Sequence, residues 1–229
     1  MKQLTPFGFM ALFAGVLLAA DAKEEVAKSA KQLGEKPNYT WKTTIVVPDD
    51  APFRPGPTDG KTEKGGFTHL RTSFFDNPIE VVLKGEKAAV TTEGGWQSLT
   101  EVENLEGPAR FLGFIVRNAK LPAMEAAELA SYAKDLKKEA DVYSSDLTEE
   151  GAKAMQAFKT SSGSATVNGA TGSVKFWLKD GSLTKYEFKL KGTIKFNDND
   201  IPNARTTTVE LKDVGTTKVE VPDAAKKKF

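Results

Sequence analysis

One histidine and no cysteine leave this chain few routes to covalent chemistry. A lone His69 excludes any site built on two imidazoles, and the lack of thiols removes cysteine nucleophiles, thiolate metal ligands and disulfide staples together. His69 stands in a strand-like run beside Leu70 and Arg71. Its residue type offers acid/base work near neutral pH, but no serine or carboxylate spacing around it makes a triad, so it reads as structural or exposed. The paired acids are equally plain: Glu149 and Glu150 follow Thr148 as the capped first turn of a helix, and Asp198 and Asp200 mark a turn. The run Asn197-Asp198-Asn199-Asp200 offers oxygen ligands to a hard cation but lacks the glycine and trailing glutamate of an EF-hand loop. The residues therefore predict no enzyme, no catalytic or metal-ligating side chain and no cofactor.

Function has to come from what the elements enclose. The chain has 229 residues, 39% hydrophobic and 28% charged, enough for one large soluble domain with a real core. Thirty-two basic against 31 acidic residues leave a charge of +1, which argues against nucleic acid as a partner. Lys2 precedes an apolar stretch from Phe7 to Ala20, and Ala20-Asp21-Ala22 places small residues where a signal peptidase reads them. Its 14 residues fall short of the roughly 20 that span a bilayer. Residues 1–22 are thus read as a signal peptide cleaved near Ala22 and 23–229 as a single domain, periplasmic or otherwise exported and soluble after cleavage.

Val26, Ala30 and Leu33 give a short helix over 23–36, after which the period changes to two. Trp41, Thr43, Ile45 and Val47 share one face of a strand; Pro48–Gly66, with four prolines, reads as a loop without a core, a flap or hairpin tip. Strands are expected at Phe67–Phe75, Ile79–Leu83 and Ala88–Thr92, then helices at 109–118, at 123–140 behind Pro122, and after Thr148 as far as Ser161-Ser162-Gly163. The alternation is clearest in the last third. Val174, Phe176 and Leu178, then Tyr186, Phe188, Leu190, Ile194 and Phe196, then Thr207, Val209 and Leu211 alternate with charged residues, as in antiparallel strands wet on one face. Thr217, Val219 and Val221 suggest a final short strand, stopped by Pro222 and followed by a solvated Lys226-Lys227-Lys228-Phe229.

This order gives an α+β fold: a single antiparallel, strongly curved sheet of about eight to eleven strands forming an unclosed β-barrel, with helices as a lid on its concave side. Such a barrel either fills its interior or holds one hydrophobic ligand. The inward set Trp41, Ile45, Phe74, Leu83, Phe176, Phe188 and Leu190, with Phe111, Phe114 and Ile115 on a helix apolar nearly all round, are the candidate cavity residues. Ordinary core packing would produce the same pattern. The lysine-rich outer face from Lys175 to Lys195 fits anionic headgroups or, more simply, a solvated face that protects an edge.

The leader, the Tyr39-Thr40-Trp41 strand entry, the Gly94-Gly95-Trp96 turn, the Trp177–Gly181 turn followed by Lys185-Tyr186, and the ending Val209–Gly215 to Val219–Pro222 resemble the LolA/LppX-like superfamily of periplasmic lipoprotein and lipid carriers. The resemblance covers nearly all of 23–229. It implies a monomeric carrier that binds acyl chains of a lipid or acylated lipoprotein under a helical lid and works between membrane-bound donor and acceptor proteins. The alternative on the same fold is an envelope sensor that recognises such a molecule and signals to a partner. No single arginine here aligns with the functional arginine of that family, and the anchor cysteine of its lipid-anchored members is absent.

Overall fold

The computed structural model describes residues 12–51, 54–74, 77–107, 110–157, 159–160, 163–164, 166–196 and 199–229; for 12–20, Phe74, 110–111, the residues described between 159 and 164, and Phe196 only the backbone is described. The Asn197-Asp198 pair, Phe158, Ser161 and Ser162 of the sequence expectations lie outside these residues.

Apolar residues at every second position, broken by glycine-bearing turns, build the sheet. Helix α1 (Leu12–Glu35) leads into β1 (Asn38–Val46), β2 (Thr58–Glu63), β3 (Thr68–Phe74), β4 (Asn77–Lys84), β5 (Lys87–Thr92) and β6 (Gly95–Ser98). A helical block follows: α2 (Leu99–Glu103), α3 (Arg110–Arg117) and α4 (Pro122–Tyr132). Next come β7 (Lys137–Glu139), β8 (Val142–Asp146), α5 (Glu149–Ala154) and a two-stranded ribbon of β9 (Lys159–Thr160) and β10 (Gly163–Ser164). The long strands β11 (Thr166–Lys179), β12 (Ser182–Phe196) and β13 (Asn199–Lys212), with a short α6 (Asp223–Lys226), complete the chain. Eleven strands form one sheet in the order β6-β5-β4-β3-β2-β1-β13-β12-β11-β8-β7, every pairing antiparallel. Edge strands β6 and β7 do not pair with each other, so the barrel stays open.

The β11–β12 hairpin has the clearest local cause. Asp180 and Gly181 both take positive φ, 50° and 73°, as a two-residue primed turn requires. From that turn Val174, Phe176, Leu178, Tyr186, Phe188 and Leu190 all point inward and are buried, while Lys175, Lys189 and Lys191 are exposed. Helices α1 and α4 pack on each other and cover the inner side of β11 and β12. Thr148 caps α5 and Ser98 caps α2, the latter in a reciprocal box with Glu101.

Four expectations need correction. Residues 58–63, read within a coreless loop, form β2 in the middle of the sheet. Its inward positions are Thr58, Gly60 and Thr62, so there was no apolar alternation to see. The helix behind Pro122 ends at Tyr132 rather than 140; Ala133 turns extended and Lys137–Glu139 pairs with β8 as an edge strand, an order imposed by pairing rather than by its own propensity. Helix bounds shift as well: the helix read at 23–36 is continuous from Leu12, and the one after Thr148 ends at Ala154, short of Ser161-Ser162-Gly163, with Lys159–Thr160 pairing to Gly163–Ser164 instead.

The fourth concerns the tail. Thr217, Val219 and Val221 form no strand, because their segment bonds to side chains instead: the Thr217 amide donates to Asn38 Oδ1 and the Val219 amide to Glu63 Oε1, each at 2.8 Å. Nor is the end wholly solvated: Lys226 and Lys227 are exposed, but the flanking Ala225, Lys228 and Phe229 are not. Ala225 is fully buried, Phe229 meets Phe67 edge-on at 5.3 Å, and Lys228 pairs with Glu101 at 3.0 Å. The cause is the outward face of β4 and β5, where Val82 and Ala89 need cover. His69 joins this strap, 3.1 Å from the Glu220 carbonyl and 2.6 Å from the Glu80 carboxylate, the structural role its isolation suggested. Deleting 217–229 is expected to cost about 3 kcal/mol by exposing this satellite core, measured as a lowered urea midpoint.

Candidate functional site

The concave face is assembled row by row from strand register. One row runs Tyr143, Phe176, Tyr186, Val209, Thr43, Thr58 across β8, β11, β12, β13, β1 and β2. It continues through the Thr58 hydroxyl, which donates to that of Thr72 at 3.0 Å, to Ile79 on β4. The next row runs Val174, Phe188, Thr207, Ile45. The floor is thus aromatic and aliphatic at both flanks, with threonines along β1 to β3.

Helices cover the flanks. Over β8, β11, β12 and β13, the helices α1, α4 and α5 close a large core that contains Trp41, Phe176, Phe188 and Leu190. Over β4 and β5, Leu99 and Val102 of α2 and Leu112 and Val116 of α3 close a smaller one with Ile79, Val81 and Val90. Leu70 packs against both. Between the two helical groups the inward residues Thr43, Ile45, Thr58, Leu70 and Thr72 retain accessible surface although they face the helical side, and so do Leu83, Phe114, Ile115 and Leu121 at the flanks. These side chains face the helical side of the sheet without being sealed by it.

Of the ten candidate residues, Trp41, Phe176, Phe188 and Leu190 are at most 6% exposed and sit in the larger core. Ile45, Leu83, Phe114 and Ile115 are half-buried, and the last three lie at the smaller core or on the helix above it. Phe74 and Phe111 occupy β3 and α3, and their side chains lie outside the described residues.

A polar cluster on the helical side of the sheet was not anticipated. The Tyr186 hydroxyl donates to Glu125 Oε2 at 2.7 Å, and Arg205 Nη2 donates to the Met155 carbonyl at 3.1 Å. Beside them Asn203 Nδ2 donates to Gln156 Oε1 at 2.9 Å. Burial pushes the Glu125 carboxyl above its usual range, against the Tyr186 hydrogen bond and the fields of Lys120 and Arg205, with Glu128 adding to the rise. Burial also lowers Arg205 and lifts Tyr186 far up, and it pushes Tyr39 up to about 12, opposed by the Ala123 amide at the start of α4. Arg205 left a readable trace in the sequence: it is a charge on the parity of Thr207, Val209 and Leu211.

A folded-state pKa raised above 4.5 means that Glu125 supports the fold in its protonated form. That support is complete below the unfolded value and is lost as pH rises through the folded one. Glu125→Gln, which keeps an acceptor for Tyr186, is expected to melt a few degrees higher than wild type at pH 7, and the gap should close by pH 4. Thermal melts across that range check it.

Among the described residues no helix is long and apolar enough to cross a membrane. No family model matches the chain, and no curated protein matches it. Among solved structures it is similar to the lipoprotein LppX of Mycobacterium tuberculosis, with 9% identity and a TM-score of 0.49 over 87% of this chain and 98% of that one. It is also similar to LprF from Mycobacterium bovis, at 12% and 0.46 over 90% and 98%. A LolA superfamily protein from Nitrosomonas europaea follows at 10% and 0.33, over 90% and 96%. Strand order, open edges and helices packed against the inner face make this chain an α+β unclosed half-barrel, the architecture that the sequence resemblance implies.

Proposed function

We propose that the chain is an exported, non-enzymatic carrier that binds acyl chains of a lipid or lipoprotein in a trough over β1 to β3. The observation that carries this reading is the residual accessibility of Thr43, Ile45, Leu70 and Thr72 beneath two separate helical groups. A solid sheet-on-helix core would bury them. Apolar walls at Ile45, Leu70, Leu83, Ile115 and Leu121 would gain about 25 cal/mol for each Å² of acyl surface removed from water, without any covalent step. In this reading the mouth lies between α4, over one flank, and α3, over the other. Movement of α3 against the sheet would change contacts with the chain and permit handover between membrane-bound donor and acceptor proteins. Cleavage after Ala22 would leave Val26, Ala30 and Leu33 in place as the inner face of α1.

Ile45→Trp places an indole across the floor of the trough at a position that is not close-packed. Titration with a fluorescent long-chain acyl probe is expected to give saturable one-to-one binding for the wild type. For the variant, affinity should fall by about tenfold or more with little change in the urea midpoint. Equal affinity for both proteins would remove the trough as the binding site.

A further inference from the structure

We propose that Arg205 marks the headgroup end of the trough, a site for an acyl chain that terminates in an anionic oxygen group, either a carboxylate or a phosphodiester. The inference rests on the carrier reading and specifies its ligand.

Arg205 follows the inward parity of β13, opposite Leu190 and two residues from Thr207, which pairs with Ile45 on the trough floor. It is half-buried, and among the described residues its hydrogen bond is the one to the Met155 carbonyl and no carboxylate lies within ion-pair range. A guanidinium carries five N–H donors in a planar fork. Half-buried, with one donor engaged by the protein and none of the others sealed from solvent, it is well matched to two oxygens of an anion. Glu125 does not meet this need. Its Oε2 accepts from Tyr186 at 2.7 Å, and it influences Arg205 through space without forming an ion pair, so the guanidinium fork stays unclaimed by a carboxylate. Asn203 and Gln156 hold each other and the α5 end beside Arg205, which keeps this wall polar while Ile45 and Leu70 line the other. The arrangement is that of an amphiphile: apolar along the trough, cationic at one end.

The test is calorimetry or probe displacement with the full chain, comparing oleate and an oleoyl lysophosphatidylglycerol with oleyl alcohol, each below its aggregation concentration. An acid, of either kind, is expected to bind about tenfold tighter than the alcohol to wild type, and the stronger of the two names the headgroup. Arg205→Gln should bring the ratio of acid to alcohol affinity near one, and Arg205→Lys should retain part of it. Equal wild-type affinities for acid and alcohol would overturn the proposal whether or not the variants fold. Displacement of oleate by inorganic phosphate at comparable concentration would overturn it in favour of a free-anion site. If acid and alcohol alike fail to bind, the carrier reading itself falls and not only its headgroup.

Discussion

Phe176→Ala is expected to cost about 4 kcal/mol of folding stability, near the middle of the range for truncating a large buried aromatic. Phe176 has no accessible surface, lies between Tyr143 and Tyr186 in its row, and holds its ring 6.4 Å from that of Tyr186. The helices above it are anchored by side chains such as Val26, Ala30, Ala126 and Leu129, all fully buried, so the surroundings have little freedom to collapse into the void. The cost should appear as a urea midpoint lowered without a change in slope. Acyl binding measured well below the transition should move much less than with Ile45→Trp, because Phe176 belongs to the closed flank and Ile45 to the proposed trough. A full-strength effect on binding with little effect on stability would mean that the two regions have been assigned the wrong way round.

Gly60→Val is expected to be nearly as damaging, at about 3 kcal/mol or more, by overpacking rather than by a cavity. A Cβ on Gly60 would stand 2.2 Å from Cε2 and Cζ2 of Trp41, a distance no side chain tolerates. Trp41 is itself 6% exposed and wedged beside Tyr39 at 5.7 Å, so its ring has nowhere to retreat. The variant should show a lowered urea midpoint together with red-shifted tryptophan emission, as Trp41 is forced toward solvent. An unchanged emission spectrum with normal stability would show that β2 does not lie against Trp41.

Legibility in the sequence tracks the physical signal each element carries. Strands β11, β12 and β13 could be read because Phe176, Tyr186, Phe188 and Val209 alternate with lysines and glutamates on a solvated face. Strand β2 could not, since Thr58, Gly60 and Thr62 leave no hydrophobic period and its existence depends on a neighbour's indole. Lys137–Glu139 is held in β7 by pairing with β8 and by the Lys138 bond to Glu25 of α1, and the strap after Thr216 is placed by Asn38, Glu63 and His69 from far earlier in the chain. The same limit applies to the site. Apolar inward residues were legible as a set, but a core residue such as Leu190 and a half-buried one such as Ile45 share one alternation, and only packing by α1, α4 and α5 separates them. The polar cluster was written in Arg205, a charge on the apolar parity of β13, and in Glu125 of α4, yet without the fold neither had a partner to give it meaning.

The most direct measurement is native mass spectrometry of the full-length chain after incubation with a bacterial membrane lipid extract. The account predicts a retained, stoichiometric adduct whose mass is that of an acyl-bearing species, lost when Ile45 is replaced by tryptophan. A spectrum of bare protein alone at lipid excess, with Ile45→Trp indistinguishable from wild type, would contradict a trough that takes up acyl chains.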